Sequence, residues 1–217
     1  MPFDSNRLNE LERRFKRYTV SNLMLYIVAA MGVVFIIDYL PLPGLSVSSL
    51  FYFNRQLIFQ GQIWRLFTFA LLPPSASIIF ILFSLYFYWL LGSSLENRWG
   101  AFKFNLFYLC GLAGTILSGM ITGFATNSYL NLSLFFAFAI LYPNVEITLF
   151  FMLPIKVKYL AYLNAAFFLY SLLTVSFANK LALIVSLLNI ILFFRRDFMN
   201  MLRQWNRRRE FRGAWKQ

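Results

Sequence analysis

Apolar residues in this chain come in long unbroken runs, with neither the alternation of a strand nor the stripe of a surface helix. Residues 22–40 form the first run, closed by Pro41 and Pro43, with Asp38 near its outer end. Residues 76–95 and 101–122 are the second and third, each close to the roughly twenty residues that cross a bilayer core. Three more follow at 129–142, 157–175 and 181–194. The fourth and sixth are only about fourteen residues long, short for a lipid-exposed helix. Two readings compete: three or four true spans plus buried pieces, or six helices whose short members are enclosed by longer ones.

Between the first two runs, residues 41–74 are too interrupted to span and too apolar for an ordinary wet loop. Gly44, Arg55, Gly61 and Arg65 are scattered among their aromatics. This segment is expected to be partly helical and half-buried at the interface. Arg65 is expected to organise it, because one guanidinium can donate several hydrogen bonds to loop carbonyls. Trp64, Trp89 and Trp99 suit interfacial anchoring.

Charge decides between the two readings. Six spans put both termini on one side, and both termini are basic. Of the 20 lysines and arginines, all but Arg55, Arg65 and Lys180 then fall on the cytoplasmic side. The expectation is therefore an all-α, six-transmembrane bundle with a half-buried first loop. A basic amphipathic segment (1–21) precedes the membrane domain (22–194), and a basic cytoplasmic tail (195–217) follows it. Leu8, Leu11, Phe15 and Tyr18 recur at helical spacing and place the first segment on the inner leaflet.

Composition agrees. The chain is 60% hydrophobic and 13% charged, and could keep that much apolar surface from water only with an implausibly large core. The formal net charge of +12 flanks the spans, where orientation and anionic headgroups account for it better than nucleic acid does. No cleavable signal pattern opens the chain. With one cysteine, Cys110, no histidine and scattered carboxylates, neither a metal site nor a cofactor is implied.

Within the third run, Gly111, Thr115, Gly119 and Gly123 recur every fourth residue. Small residues let helix backbones approach closely, so this stripe is expected to pack inside the bundle in preference to forming a dimer interface. Asn131 and Ser133 in the fourth run, and Ser186 and Asn189 in the sixth, are poorly placed against lipid and are expected to face other helices. Gly92, Glu96, Arg98 and Gly100 close the second run. There Glu96 and Arg98 are expected to pair with polar partners and fix the turn that Gly100 eases.

The motif around Trp64 and Arg65, from Gly61 to Phe69, resembles the Trp-Arg motif in the first loop of rhomboids and of their inactive relatives, the derlins. The pattern Gly92, Glu96, Arg98, Gly100 is similar to the rhomboid motif that closes the second helix. The segments Tyr142-Pro143-Asn144 and Leu153 to Lys158 resemble the short link after the fourth. The likeness covers most of residues 20–195, and a chain without further domains fits a bacterial plasma-membrane protein.

Active rhomboids imply a serine in a Gly-x-Ser-Gly pattern at the start of the fourth helix and a histidine in the sixth. Counted back from Pro143, the serine position falls on Ser128, flanked by Thr126 and Tyr129 instead of glycines. The histidine position falls near Leu183. On the second helix, Phe80 and Ser84 stand where the resemblance implies a histidine and an asparagine for the oxyanion. A hydroxyl needs a base to become a nucleophile, and Leu183 is none. Lys180 would serve only if it lost its proton near neutral pH.

The resemblance therefore implies a noncatalytic, derlin-like pseudoprotease that binds transmembrane clients, with Ser128, Asn131 and Ser133 as polar contacts. An unconventional protease using Ser128 and a small transporter are the competing classes. Against the transporter, no internal repeat and no intramembrane charge line a route.

Overall fold

The computed structural model describes residues 13–40, 46–74, 77–149 and 153–174, together with Lys180 and Ile184. The chain ends, the outer prolines and Leu183 lie outside the described residues, as does the sixth apolar run apart from Ile184.

Helix α1 spans Leu23–Tyr39, within a residue of the expected bounds at either end. Asn22 precedes it in the left-handed region (φ 56°), which asparagine tolerates better than most residues. At the other end Leu40 is extended, the conformation that a following proline imposes. Helices α5 (Ile78–Trp99) and α6 (Ala101–Thr122), both 22 residues, are long and apolar enough to cross a membrane. Helix α7 (Ser128–Leu141) has 14 residues and α8 (Val157–Thr174) has 18. At 1.5 Å per residue α7 is about 21 Å long, short of the about 30 Å hydrocarbon core. It packs against α5, α6 and α8, so the short member is indeed enclosed by longer ones.

The loop between α1 and α5 folds into three short helices, α2 (Val47–Phe51), α3 (Arg55–Phe59) and α4 (Arg65–Thr68). A 3-10 turn at Phe69–Leu71 completes it. Asp38 accepts from the amides of Val47 (2.6 Å) and Ser48 (3.1 Å), tying the first turn of α2 back to the end of α1.

Helix α5 runs through Glu96 and Arg98 to Trp99, and Gly100, at φ 85°, makes the turn into α6. One expectation needs correction. The link after the fourth run is a hairpin. Strands β1 (Glu146–Leu149) and β2 (Leu153–Lys156) pair antiparallel, with Glu146 opposite Lys156. Their ion pair is 3.9 Å long and exposed, so it adds little.

Helices α1 and α5 cross where α5 offers a glycine. A methyl group on Gly92 would overlap the Cβ and Cγ of Met24, which is fully buried. One helical turn further along α5, Glu96 accepts from the Asn22 amide (2.6 Å). From α6, Asn105 donates to the carbonyl of Val20 (3.0 Å). The entry to α1 is thus held from two helices at once.

Candidate functional site

At the end of the bundle away from the entry to α1 the first loop, the end of α6 and the start of α7 come together. A helix leaves its last carbonyls without intrahelical partners. In α2 those are Ser49, Leu50 and Phe51, with Tyr52 as the cap residue, and α4 with its cap residue Trp64 serves all four. Arg65 Nη1 donates to Ser49 and Tyr52 (both 3.0 Å), Trp64 Nε1 to Leu50 (3.3 Å) and Thr68 Oγ1 to Phe51 (3.1 Å). Arg65 Nε is bonded to Gln62 (2.6 Å), and its guanidinium lies 4.8 Å from the centre of the Tyr52 ring. The arginine is 3% exposed yet has an acceptor on each working nitrogen. The Trp-Arg pair is therefore a cap for a neighbouring turn.

Three further ties dock this loop on the bundle, through Arg55, to which the sequence assigned no partner, and through Asn127 and Phe53, which it did not single out. Arg55 Nη1 donates to the carbonyls of Met120 (3.2 Å) and Ile121 (3.1 Å), at the carbonyl end of α6, where a cation is favoured. Asn127 donates to Leu72 (2.8 Å) and Ala70 (3.3 Å), fastening the loop exit to the start of α7. Phe53, fully buried, meets Phe69 edge-on at 5.7 Å and sits over Gly119. Asn127 has a sequence signal of its own, an amide directly before a helix start.

The small-residue stripe divides by position. Gly111, Thr115 and Gly119 are buried, and the Thr115 hydroxyl returns to the Gly111 carbonyl (2.8 Å). A methyl on Gly119 would stand 2.7 Å from Ala125 Cβ and 2.8 Å from the Phe53 ring, so this glycine receives the loop, not a neighbouring helix. Gly123 does not belong to the packing face. It lies past the end of α6 at φ 92° with open space around it, and its part is to cap the helix in a left-handed turn. Gly119→Ala is expected to cost about 2 kcal/mol by overpacking Phe53 and Ala125. Thermal unfolding in detergent micelles measures it.

The fourth-helix residues separate likewise. Ser128 is exposed, and its hydroxyl lies 3.1 Å from that of Thr126. Ser133 is 1% exposed and donates to the Leu130 carbonyl of its own helix (2.7 Å). That contact turns its hydroxyl away from any visitor. Asn131 is 3% exposed, beside Tyr88 of α5, with neither polar atom of its side chain in a hydrogen bond of good geometry. On α5, Ser84 is half-buried and Phe80 half-exposed. Glu96 joins Asn22, whereas Arg98 is exposed. As a direct contact surface, then, the trio reduces to Ser128, since Asn131 and Ser133 are enclosed.

Comparison with curated proteins gives no match. Residues 60–196, well over half of the chain, match the family model described as Rhomboid domain.

Proposed function

The chain belongs to the rhomboid family, and from that premise we propose that it is a noncatalytic member that binds transmembrane helices of other proteins. The family includes proteases. The observation that carries the reading is chemical: the 217 residues contain no histidine. Serine hydroxyls are poor nucleophiles without a base, and the two on α7 are occupied otherwise, Ser133 with Leu130 and Ser128 with Thr126. Phe80 offers no donor for a developing oxyanion.

Client binding draws support from Asn131. A buried amide whose nearest polar neighbour, Tyr88, meets it at poor hydrogen-bond geometry is under-satisfied at up to about 1–3 kcal/mol, and within a bilayer a polar residue on another helix can complete it. In this reading a client helix reaches Asn131 once the enclosing helices part. The reading takes the apolar run over residues 181–194, which contains Leu183 and follows Lys180, as the sixth span of a derlin-like bundle. Residues 1–21 and 195–217 are its cytoplasmic flanks, in the plasma membrane of a bacterium.

The test uses defined helices. The protein is co-reconstituted with a model transmembrane helix carrying one central asparagine, or with an all-leucine version, and photo-crosslinked from positions 67 and 128. The asparagine helix is expected to be captured about tenfold better, the equivalent of about 1.4 kcal/mol. Asn131→Leu is expected to abolish the difference while unfolding at the same or a higher temperature, since it removes under-satisfied polar atoms. Equal capture of both helices would sink client recognition through Asn131, and capture of lipid alone would sink client binding. Cleavage of a membrane-spanning reporter, lost on Ser128→Ala or Ser133→Ala, would overturn the noncatalytic assignment.

A further inference from the structure

The end of the bundle that holds the entry to α1 also carries the α5–α6 turn and the hairpin. Tyr142, at the hairpin's base, reaches the Ser94 carbonyl of α5 (3.4 Å). Its described basic residues include Arg13, Arg14, Arg17 and Arg98, all exposed, and Lys156 and Lys158. The described carboxylates there are Glu96, which is buried and bonded to the Asn22 amide, and Glu146, which faces Lys156. The opposite end shows the reverse economy: Arg55 and Arg65 are both turned onto backbone carbonyls.

The segment 13–18 is helical, ending in a 3-10 turn over Lys16–Tyr18. It exposes Phe15 (43%) and Tyr18 (77%), whose rings lie 6.5 Å apart, among three exposed arginines. The chain just after it is held, because Asn105 donates to the Val20 carbonyl and Glu96 accepts from the Asn22 amide. These two contacts fix the segment's base at the level where α1 begins.

Aromatic rings and arginines on one short segment, pinned beside the start of a membrane helix, match an interface with apolar chains below and negative charge above. We propose that residues 13–18 are a docking strip for the headgroups of anionic phospholipids. Glu96 and Asn105 are the positioning residues that hold it there. This gives the buried carboxylate of Glu96 a task unrelated to the α5–α6 turn. Nucleic acid fits less well, since it would leave Phe15 and Tyr18 without an apolar partner.

The full-length protein with Cys110→Ala and Thr19→Cys, labelled with a polarity-sensitive fluorophore, is placed in nanodiscs of phosphatidylcholine alone or mixed with phosphatidylglycerol. The probe is expected to shift to the blue and be quenched by spin-labelled lipid only where phosphatidylglycerol is present. Each arginine of Arg13, Arg14 and Arg17 changed to glutamine is expected to lower the docked-to-free ratio about fivefold. Asn105→Leu and Glu96→Leu are expected to weaken docking with those three arginines intact. Because Glu96→Leu can also unfold the bundle, Asn105→Leu decides. Equal docking in both lipids, a triple glutamine variant that docks like the parent, or a probe that responds only to added RNA would each overturn the proposal.

Discussion

Replacing Arg65, itself buried, with alanine is expected to lower the unfolding free energy by about 2–3 kcal/mol, since two part-buried carbonyls lose a charged donor at about 1–1.5 kcal/mol each. The stranded carbonyls are those of Ser49 and Tyr52, which Nη1 serves together. Gln62 loses a partner and Tyr52 a cation over its ring as well. Arg65→Lys is expected to recover about half of the loss. A lysine ammonium ends one bond short of Nη1, so it approaches the two carbonyls less closely, and it lacks the Nε–H for Gln62 and the planar face for Tyr52. Trp64→Phe removes only the bond to Leu50 and is expected to cost about 1 kcal/mol. Denaturant unfolding followed by circular dichroism orders the three variants. If Arg65→Ala unfolded with the parent, water would be satisfying those carbonyls and the loop would be wet, not sealed.

Such a ranking rests on partners that the sequence does not display. Arg65 was legible as a type: an arginine at interfacial depth, among aromatics, has backbone carbonyls as its natural outlet. Which carbonyls it would meet was not, because they depend on α2 and α4 folding against each other across 16 residues. Helix boundaries were readable where a proline with its fixed φ or a glycine free to take a positive φ followed an apolar run, as at Pro41 and Gly100. The hairpin was not. Residues 147–155 are nearly all apolar and contain Pro154, so they show neither the alternation nor the composition of a paired strand. The amides that brace the bundle were hidden for a further reason. Asn105 and Asn127 reach carbonyls 85 and 57 residues away, and an isolated asparagine in an apolar run gives no sign of where its partner will be.

Polar residues divide by depth in a way that bears on function. Towards the ends of the bundle Arg65, Asn127 and Glu96 each have hydrogen-bond partners. Asn131 lies beside Tyr88 with neither polar atom in a hydrogen bond of good geometry, and the buried hydroxyls of Tyr108 and Ser118 also lack one. Asn131→Leu therefore separates a stability role from a binding role only when both capture and unfolding are measured.

At the α1–α5 crossing, Gly92→Ala is expected to cost about 3 kcal/mol, the upper end of what overpacking a core does. The added methyl falls on Met24 at both Cβ and Cγ. Rotating the Met24 side chain clears Cγ but not Cβ, so the backbones must part. They are poorly free to do so, because the Glu96–Asn22 bond pins the start of α1 to α5 one turn away. Met24→Ala alone opens a cavity and is expected to cost about 2–5 kcal/mol, and Met24→Gly somewhat more. The combinations carry the argument. Gly92→Ala with Met24→Gly moves the methyl from one helix to the other. It is expected to be more stable than the sum of its single changes by about 2 kcal/mol. Gly92→Ala with Met24→Ala keeps the Cβ overlap and is expected to recover less. If the two pairs behaved alike, the cost would lie in losing the Met24 side chain, and the close approach of the two helices would not be what Gly92 provides.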